Sequence, residues 1–179
     1  MTKVEEHMND VLNNIKTRRS VRSFKDDQIG REDLEAILTA GLYAPSAKNT
    51  QNWQLTVVQG ADKLEALRAA IAAALSNPGY GRFYNAPTLV IVSTPADYEF
   101  GAVDSAAVLE NVFLAANSLG VGSVWINQLL KISDQIEVRK LLSGLKVPAD
   151  HRVWCCAALG YAAGEVKKDR ENRGKVVFA

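Results

Sequence analysis

Polar chemistry in this 179-residue chain gathers in three short segments. The first is Arg18-Arg19-Ser20-Val21-Arg22. Its guanidiniums and hydroxyl suit a phosphate dianion or another anion, because planar guanidinium forks match the oxygens pairwise. In an extended backbone Arg18, Ser20 and Arg22 point to one side together. The second segment runs Ala44-Pro45-Ser46-Ala47-Lys48-Asn49-Thr50-Gln51-Asn52-Trp53. Its hydroxyls and amides are neutral donors and acceptors of the kind that read the edge of a heteroaromatic ring. The third is a basic tail with Lys167, Lys168, Arg170, Arg173 and Lys175. Each segment taken alone also has a plain structural reading: a solvated connector, a capping loop and a solvated face.

Other chemistries find little support. The chain carries no GxGxxG fingerprint, Walker loop, GxSxG elbow or HExxH pair. Its two histidines, His7 and His151, belong to no motif, so neither a hydrolytic triad nor a zinc site is expected, and no metal is assigned. Lys+Arg total 21 against 20 Asp+Glu, a net charge of +1 that argues against nucleic-acid or membrane-surface binding. Cys155 and Cys156 are adjacent, and neighbours on a strand point to opposite faces, so they read as two small buried apolar residues. With no disulfide framework, a reducing compartment is expected. The first residues show no basic region followed by an apolar stretch, and no apolar run approaches the roughly 18–20 residues of a membrane span. A cytoplasmic location is the expectation.

The elements that position these segments follow from hydrophobic spacing. Val4, Met8, Val11, Leu12 and Ile15 predict an amphipathic helix over about 3–16, and Leu34, Ile37, Leu38 and Leu42 a second over about 31–43, closed by Pro45. A strand is expected over 53–59, an alanine-rich helix over 61–75 and a buried strand over 88–94. The helix predicted over 102–118 has its strongly polar residues, Asp104, Glu110, Asn111 and Asn117, on one stripe and is otherwise apolar. Such a helix must be covered on most sides, which suggests a central position, with a subunit interface as one place that would cover it. Gly120 is the expected C-terminal cap. A strand over 121–126, a helix over 134–142 with Ser133 as N-cap, and a last strand over 152–159 complete the pattern. At 47% apolar and 23% charged residues the chain reads as one globular domain, residues 1–179, of α+β class.

In order and spacing, the segments resemble the FMN-dependent nitroreductase family. The resemblance runs through RRSVRSF, APSAKNTQNW before a strand, the apolar central helix, LGVGSVWI, and LGY before the basic tail. It implies a homodimer with a central, mostly antiparallel sheet of about four or five strands wrapped by helices, and two FMN sites at the dimer interface. Arg18, Arg19, Ser20 and Arg22 match the segment that binds the FMN phosphate, ribityl chain and pyrimidine end. Pro45, Ser46, Ala47 and Asn49 match the segment that reaches the flavin from the partner subunit, with Gln51 beside it. Asn127 and Gln128 match backbone positions near flavin N5. Arg173, with Arg170 or Lys168 as alternatives, matches the basic residue that clamps the phosphate.

The resemblance also implies the reaction. NADH or NADPH reduces the flavin and leaves, and an acceptor then takes the electrons in a ping-pong cycle. The acceptor is a small molecule such as a nitroaromatic or quinone. Protein residues hold and polarise the ring, and no residue is assigned as a catalytic acid, base or nucleophile. Alternatives within the same fold are dehalogenation, flavin modification or a non-catalytic flavin-binding module. The segments 77–87 and 95–101, where longer members carry lid helices, are brief here.

Overall fold

The structure, a computed structural model, describes residues 9–81, 83–166 and 170–178. The first part of the helix predicted over 3–16, together with Lys167 and Lys168, lies outside the described residues. Helix α1 spans Asp10–Thr17, and the Asn9 side chain caps it by accepting from the Leu12 amide at 2.9 Å. Helix α2 spans Arg31–Leu42 and α3 spans Ala61–Ala74. Strand β1 is Gln54–Gln59, β2 is Thr88–Pro95, β3 is Gly122–Ile126 and β4 is His151–Gly160. The long apolar helix is α4, Gly101–Ser118.

The four strands form one antiparallel sheet in the order β1-β2-β4-β3. Its two central strands are buried on both faces, which is why both read as apolar runs rather than as alternating ones. Leu89 and Ile91 of β2 pack into one core with α3, and Val90 and Val92 into the other with α2 and α4. Residues alternate across a strand, so Cys155 and Cys156 enter opposite cores, as their adjacency predicts. The β2–β4 register shifts between Val92 and Ser93, leaving Trp154 as an extra residue on β4. Its indole donates instead to Thr94 Oγ1 at 2.8 Å.

Helix α4 contributes Val108, Leu109, Val112, Phe113 and Ala116 to the second core. Its polar stripe docks neighbouring segments. Asn111 Nδ2 donates to Ala40 O at 3.0 Å on α2, and Asn117 Nδ2 to Asn14 Oδ1 at 2.6 Å on α1. Buried Asp104 accepts from the Ala47 amide. The helix ends as the sequence suggests. Gly120 takes φ +71, its amide reaches Asn117 O at 3.2 Å, and Val121 N reaches Ala116 O at 2.8 Å.

The segment after β3 corrects one expectation. Ser133 is not an N-cap, and no helix begins at 134. A short helix α5, Leu129–Ile132, ends at Ser133, and helix α6 spans Ile136–Gly144 behind Gln135. Leu129 and Ile132 are buried, so packing draws the chain into a turn of helix before the polar Asp134-Gln135 break.

Candidate active site

The arginine segment is an extended strap laid along the free edge of the sheet. The Val21 amide donates to Ser123 O at 2.9 Å, and Ser20 forms a parallel bridge with Ser123 on β3. Further on, Lys25 N reaches Tyr161 O at 2.9 Å and Ala163 N reaches Ser23 O at 3.0 Å. Val21 and Phe24 are the buried anchors, which leaves Arg18, Arg19, Ser20, Arg22 and Ser23 outside the core. Gly122 makes this close approach possible: a Cβ there would lie 2.8 Å from Val21 Cγ2 and 3.0 Å from the Gly160 carbonyl.

A cleft of about 710 Å³ opens over this strap. Arg18, Arg19, Ser20, Arg22 and Ser23 line one side, and Gly164, Glu165, Val166 and Arg170 line the other. Residues distant in sequence thus concentrate four guanidiniums on one hollow. Arg18 lies over the Phe113 ring, 5.8 Å from its centre, and Phe113 in turn packs against Trp125. Arg19 Nη1 donates to Lys16 O at 2.6 Å and Arg18 O at 2.7 Å, which ties its guanidinium to the end of α1. Arg22 projects into solvent at the cleft. A smaller cavity of about 320 Å³ adjoins it and shares Arg19, Val21 and Val166. Arg173 does not line the cleft; it is exposed and paired with Glu171 at 2.8 Å.

The second segment lies apart. None of Pro45, Ser46, Ala47, Asn49 or Gln51 lines the cleft. Residues Ala47–Asn49 make a tight turn between α2 and β1. Lys48, Asn49 and Gln51 take φ of 54°, 55° and 50°, left-handed values that cost non-glycine residues about 1–2 kcal/mol each. Local bonds hold this shape: Asn49 N to Ser46 O at 3.0 Å, Gln51 N to Ser46 Oγ at 3.0 Å and Gln51 Nε2 to Asn49 Oδ1 at 2.8 Å. Strain of this kind persists where surrounding contacts over-determine it, and it clusters at functional sites.

Two residues behind the turn went unassigned in the sequence. The Tyr98 hydroxyl donates to Asp104 Oδ2 at 2.6 Å and contacts Thr50 Oγ1 at 2.6 Å. The bond to Asp104 holds the Tyr98 phenol above its ordinary pKa. Asp104 had a signal, as a carboxylate on an apolar helix. Tyr98 had none, because its place depends on how the link after β2 meets the turn, and the cleft residues Gly164, Glu165 and Val166 had none, because theirs depends on how the chain after β4 folds back.

Asn127 and Gln128 close β3 and open α5. Asn127 N donates to Gln128 Oε1 at 3.1 Å, and Asn127 Oδ1 accepts from Trp125 Nε1 at 3.4 Å. Neither residue lines the cleft. The links 75–87 and 96–100 add only a one-turn helix, Phe83–Asn85, among the described residues.

Comparison with known proteins places this architecture. A nitroreductase of Bacteroides fragilis, solved with bound FMN, superposes with a TM-score of 0.89 at 40% identity, covering 96% of this chain and 100% of that one. A nitroreductase of Desulfitobacterium hafniense with bound FMN gives 0.86 at 27% identity, covering 96% and 99%. A protein of Archaeoglobus fulgidus named as a candidate NADH dehydrogenase/NAD(P)H nitroreductase is 34% identical over 163 residues, 88% of each chain. The model of the nitroreductase family matches residues 15–161, from the end of α1 through the arginine strap to the end of the sheet, and the chain belongs to that family.

Proposed function

We propose that this protein is an FMN-dependent NAD(P)H oxidoreductase that works by a ping-pong cycle on a small acceptor such as a nitroaromatic or quinone. The observation that carries the reading is the cleft where Arg18, Arg19, Ser20 and Arg22 meet Arg170. Its volume, about 710 Å³, falls within the usual range of about 300–1,000 Å³ for small-molecule sites. A flavin mononucleotide needs a polycationic pocket for its phosphate and a cation beside the electron-rich end of its ring, and this residue set supplies both. The FMN-bound relatives and the named NAD(P)H nitroreductase agree with that cofactor and donor.

When bound, FMN supplies the redox step, accepting hydride from a reduced nicotinamide and returning electrons to the acceptor. The chain's own residues do the rest. Arg22 and Arg170, with the Ser20 and Ser23 hydroxyls, would neutralise and orient the phosphate. Arg18 and Arg19 would supply positive charge to offset the negative charge of the reduced ring. Arg173 remains an alternative clamp if its exposed pair with Glu171 is exchanged for phosphate. Asn127 and Gln128 present backbone groups at the end of the edge strand, a rigid place from which to orient the ring.

The turn Pro45–Gln51 does not line the cleft of its own chain. A site built from both segments therefore needs two copies, and we assign the protein as a homodimer. In support, α1 buries none of its residues yet exposes Val11, Leu12 and Ile15. Beyond it, Tyr43 and the tail residues Val176, Val177 and Phe178 are all more than four-fifths exposed in the single chain. Apolar groups in this number fit burial against a second copy.

Steady-state kinetics test the cycle. With NADPH or NADH varied against a quinone or nitroaromatic, double-reciprocal plots should be parallel. Intersecting lines would reject the ping-pong assignment, and absence of turnover with both acceptor classes would reject the reductase reading.

A further inference from the structure

The turn Ser46–Gln51 does not stand on its own bonds. Behind it, Asp104 sits in the first turn of α4, 4% exposed. Its carboxylate accepts from the Ala47 amide, at 3.2 Å through Oδ1 and 3.3 Å through Oδ2, and from the Tyr98 hydroxyl at 2.6 Å. Tyr98 lies in the link 96–100 that joins β2 to α4. An ionised carboxylate can only accept, so the single Tyr98 proton goes to Asp104. The 2.6 Å contact between Tyr98 and Thr50 is therefore a bond from the Thr50 hydroxyl to the Tyr98 oxygen. The result is a chain of bonds, Thr50 to Tyr98 to Asp104, with Asp104 also taking the Ala47 amide. It grips the turn on either side of the left-handed pair Lys48–Asn49, at Ala47 and at Thr50.

Two features suggest more than a fold contact. A buried carboxylate is costly unless its bonds are well made, and the contacts of the Asp104 carboxylate lead to Ala47 in this turn and to Tyr98. Both residues between the grips are in left-handed conformation, with φ of 54° at Lys48 and 55° at Asn49, and Gln51 just beyond Thr50 has φ 50°.

We propose that Tyr98 and Asp104 are positioning residues for the reaction: they lock the Ser46–Gln51 turn in the strained shape that presents its side chains to the flavin of the partner subunit. The inference rests on the reading that this turn meets FMN. Neither residue touches the flavin in this account. Both act through Ala47 and Thr50, by removing the freedom the turn would otherwise lose on binding.

The test compares full-length wild type with Tyr98→Phe, Thr50→Val, Asp104→Ala and Asp104→Asn. FMN affinity, the visible circular dichroism of bound FMN and the melting temperature of the FMN-free protein are measured on each. Tyr98→Phe and Thr50→Val should weaken FMN binding about tenfold, the size of one lost charge-linked hydrogen bond, and change the flavin dichroism. Asp104→Ala should do more, and Asp104→Asn, which keeps one acceptor oxygen, should recover part of the loss. The dichroism and the partial rescue separate positioning from general destabilisation, which lowers the melting temperature and leaves the environment of bound flavin as it was. If Tyr98→Phe fails to fold, Thr50→Val decides alone: it leaves the Tyr98–Asp104 bond in place and removes the two contacts of the Thr50 hydroxyl, to Tyr98 at 2.6 Å and to Ala47 O at 3.1 Å. Wild type that binds FMN beside variants with equal affinity and dichroism overturns this inference and spares the FMN reading. Wild type that takes up no FMN overturns both.

Discussion

The Val21 amide and the Ser123 carbonyl meet at 2.9 Å, and this bond fastens the arginine strap to the edge of the sheet. It fixes the backbone between Arg19 and Arg22, while the Arg19 guanidinium is held by Lys16 O and Arg18 O and Arg18 rests over Phe113. The strap can come so close because β3 starts with Gly122, where a side chain would strike Val21.

Gly122→Ala should therefore act on the site as well as on stability. The added Cβ has backbone at 3.0 Å on one side, the Gly160 carbonyl, so Val21 and the strap must move. Overpacking of this kind costs about 1–3 kcal/mol. Urea unfolding should show that loss, and FMN titration should show weaker binding in the folded fraction. Wild-type values in both would mean the strap yields without consequence.

Arg22→Ala should leave stability nearly unchanged, because Arg22 is exposed and buries no apolar surface. FMN affinity should fall by on the order of 1.5–3 kcal/mol, the range for a hydrogen bond to a charged group. Its salt dependence should also flatten, since one cation has left the phosphate pocket. Isothermal titration at two ionic strengths reads both effects, and unchanged affinity would remove Arg22 from the phosphate site.

Much of this was legible from residue types and spacing. The cleft's near side lies within the six residues 18–23, so local sequence carried it. Helix α4 announced its central place through an apolar circumference, and Gly120 marked its end. The far side of the cleft, Gly164, Glu165, Val166 and Arg170, was legible only as part of a tail, because nothing local says that these residues return to the strap. The Tyr98–Asp104 grip was hidden for the same reason, since it joins the start of α4 to a turn 57 positions away. Ser133 misled because a cap residue before a polar stretch looks like a helix start, whereas burial of Leu129 and Ile132 had already closed one there.

Assembly can be checked independently of flavin. Light scattering should give a mass of two 19.5 kDa chains, and Ile15→Glu should shift it toward one while weakening FMN retention. Ile15 is 49% exposed and in no core, so the single chain has little reason to lose its fold. Asn49→Ala should lower FMN affinity without changing the mass. A wild-type monomer that binds FMN fully would contradict a site shared between copies.

The two cysteines should be silent in the native protein. Burial pushes the Cys155 thiol up to about 12 and Cys156 well above its ordinary value. A thiol reagent should therefore react with neither at neutral pH and with both in denaturant. Since the folded-state values are raised, the native state holds protons that the unfolded chain releases from about pH 9 upward. Their stabilisation is complete below pH 9 and is lost as pH climbs toward 12. Rapid labelling of native protein at neutral pH would place a thiol at the surface.

The most direct test of the central claim is an anaerobic absorbance spectrum of the purified protein, reconstituted with FMN, before and after addition of NADH and then NADPH. We expect the bands of oxidised flavin at the outset, bleached by at least one donor. No bound flavin after reconstitution, or flavin bands that persist with both donors, would contradict the assignment of this protein as an FMN-dependent NAD(P)H oxidoreductase.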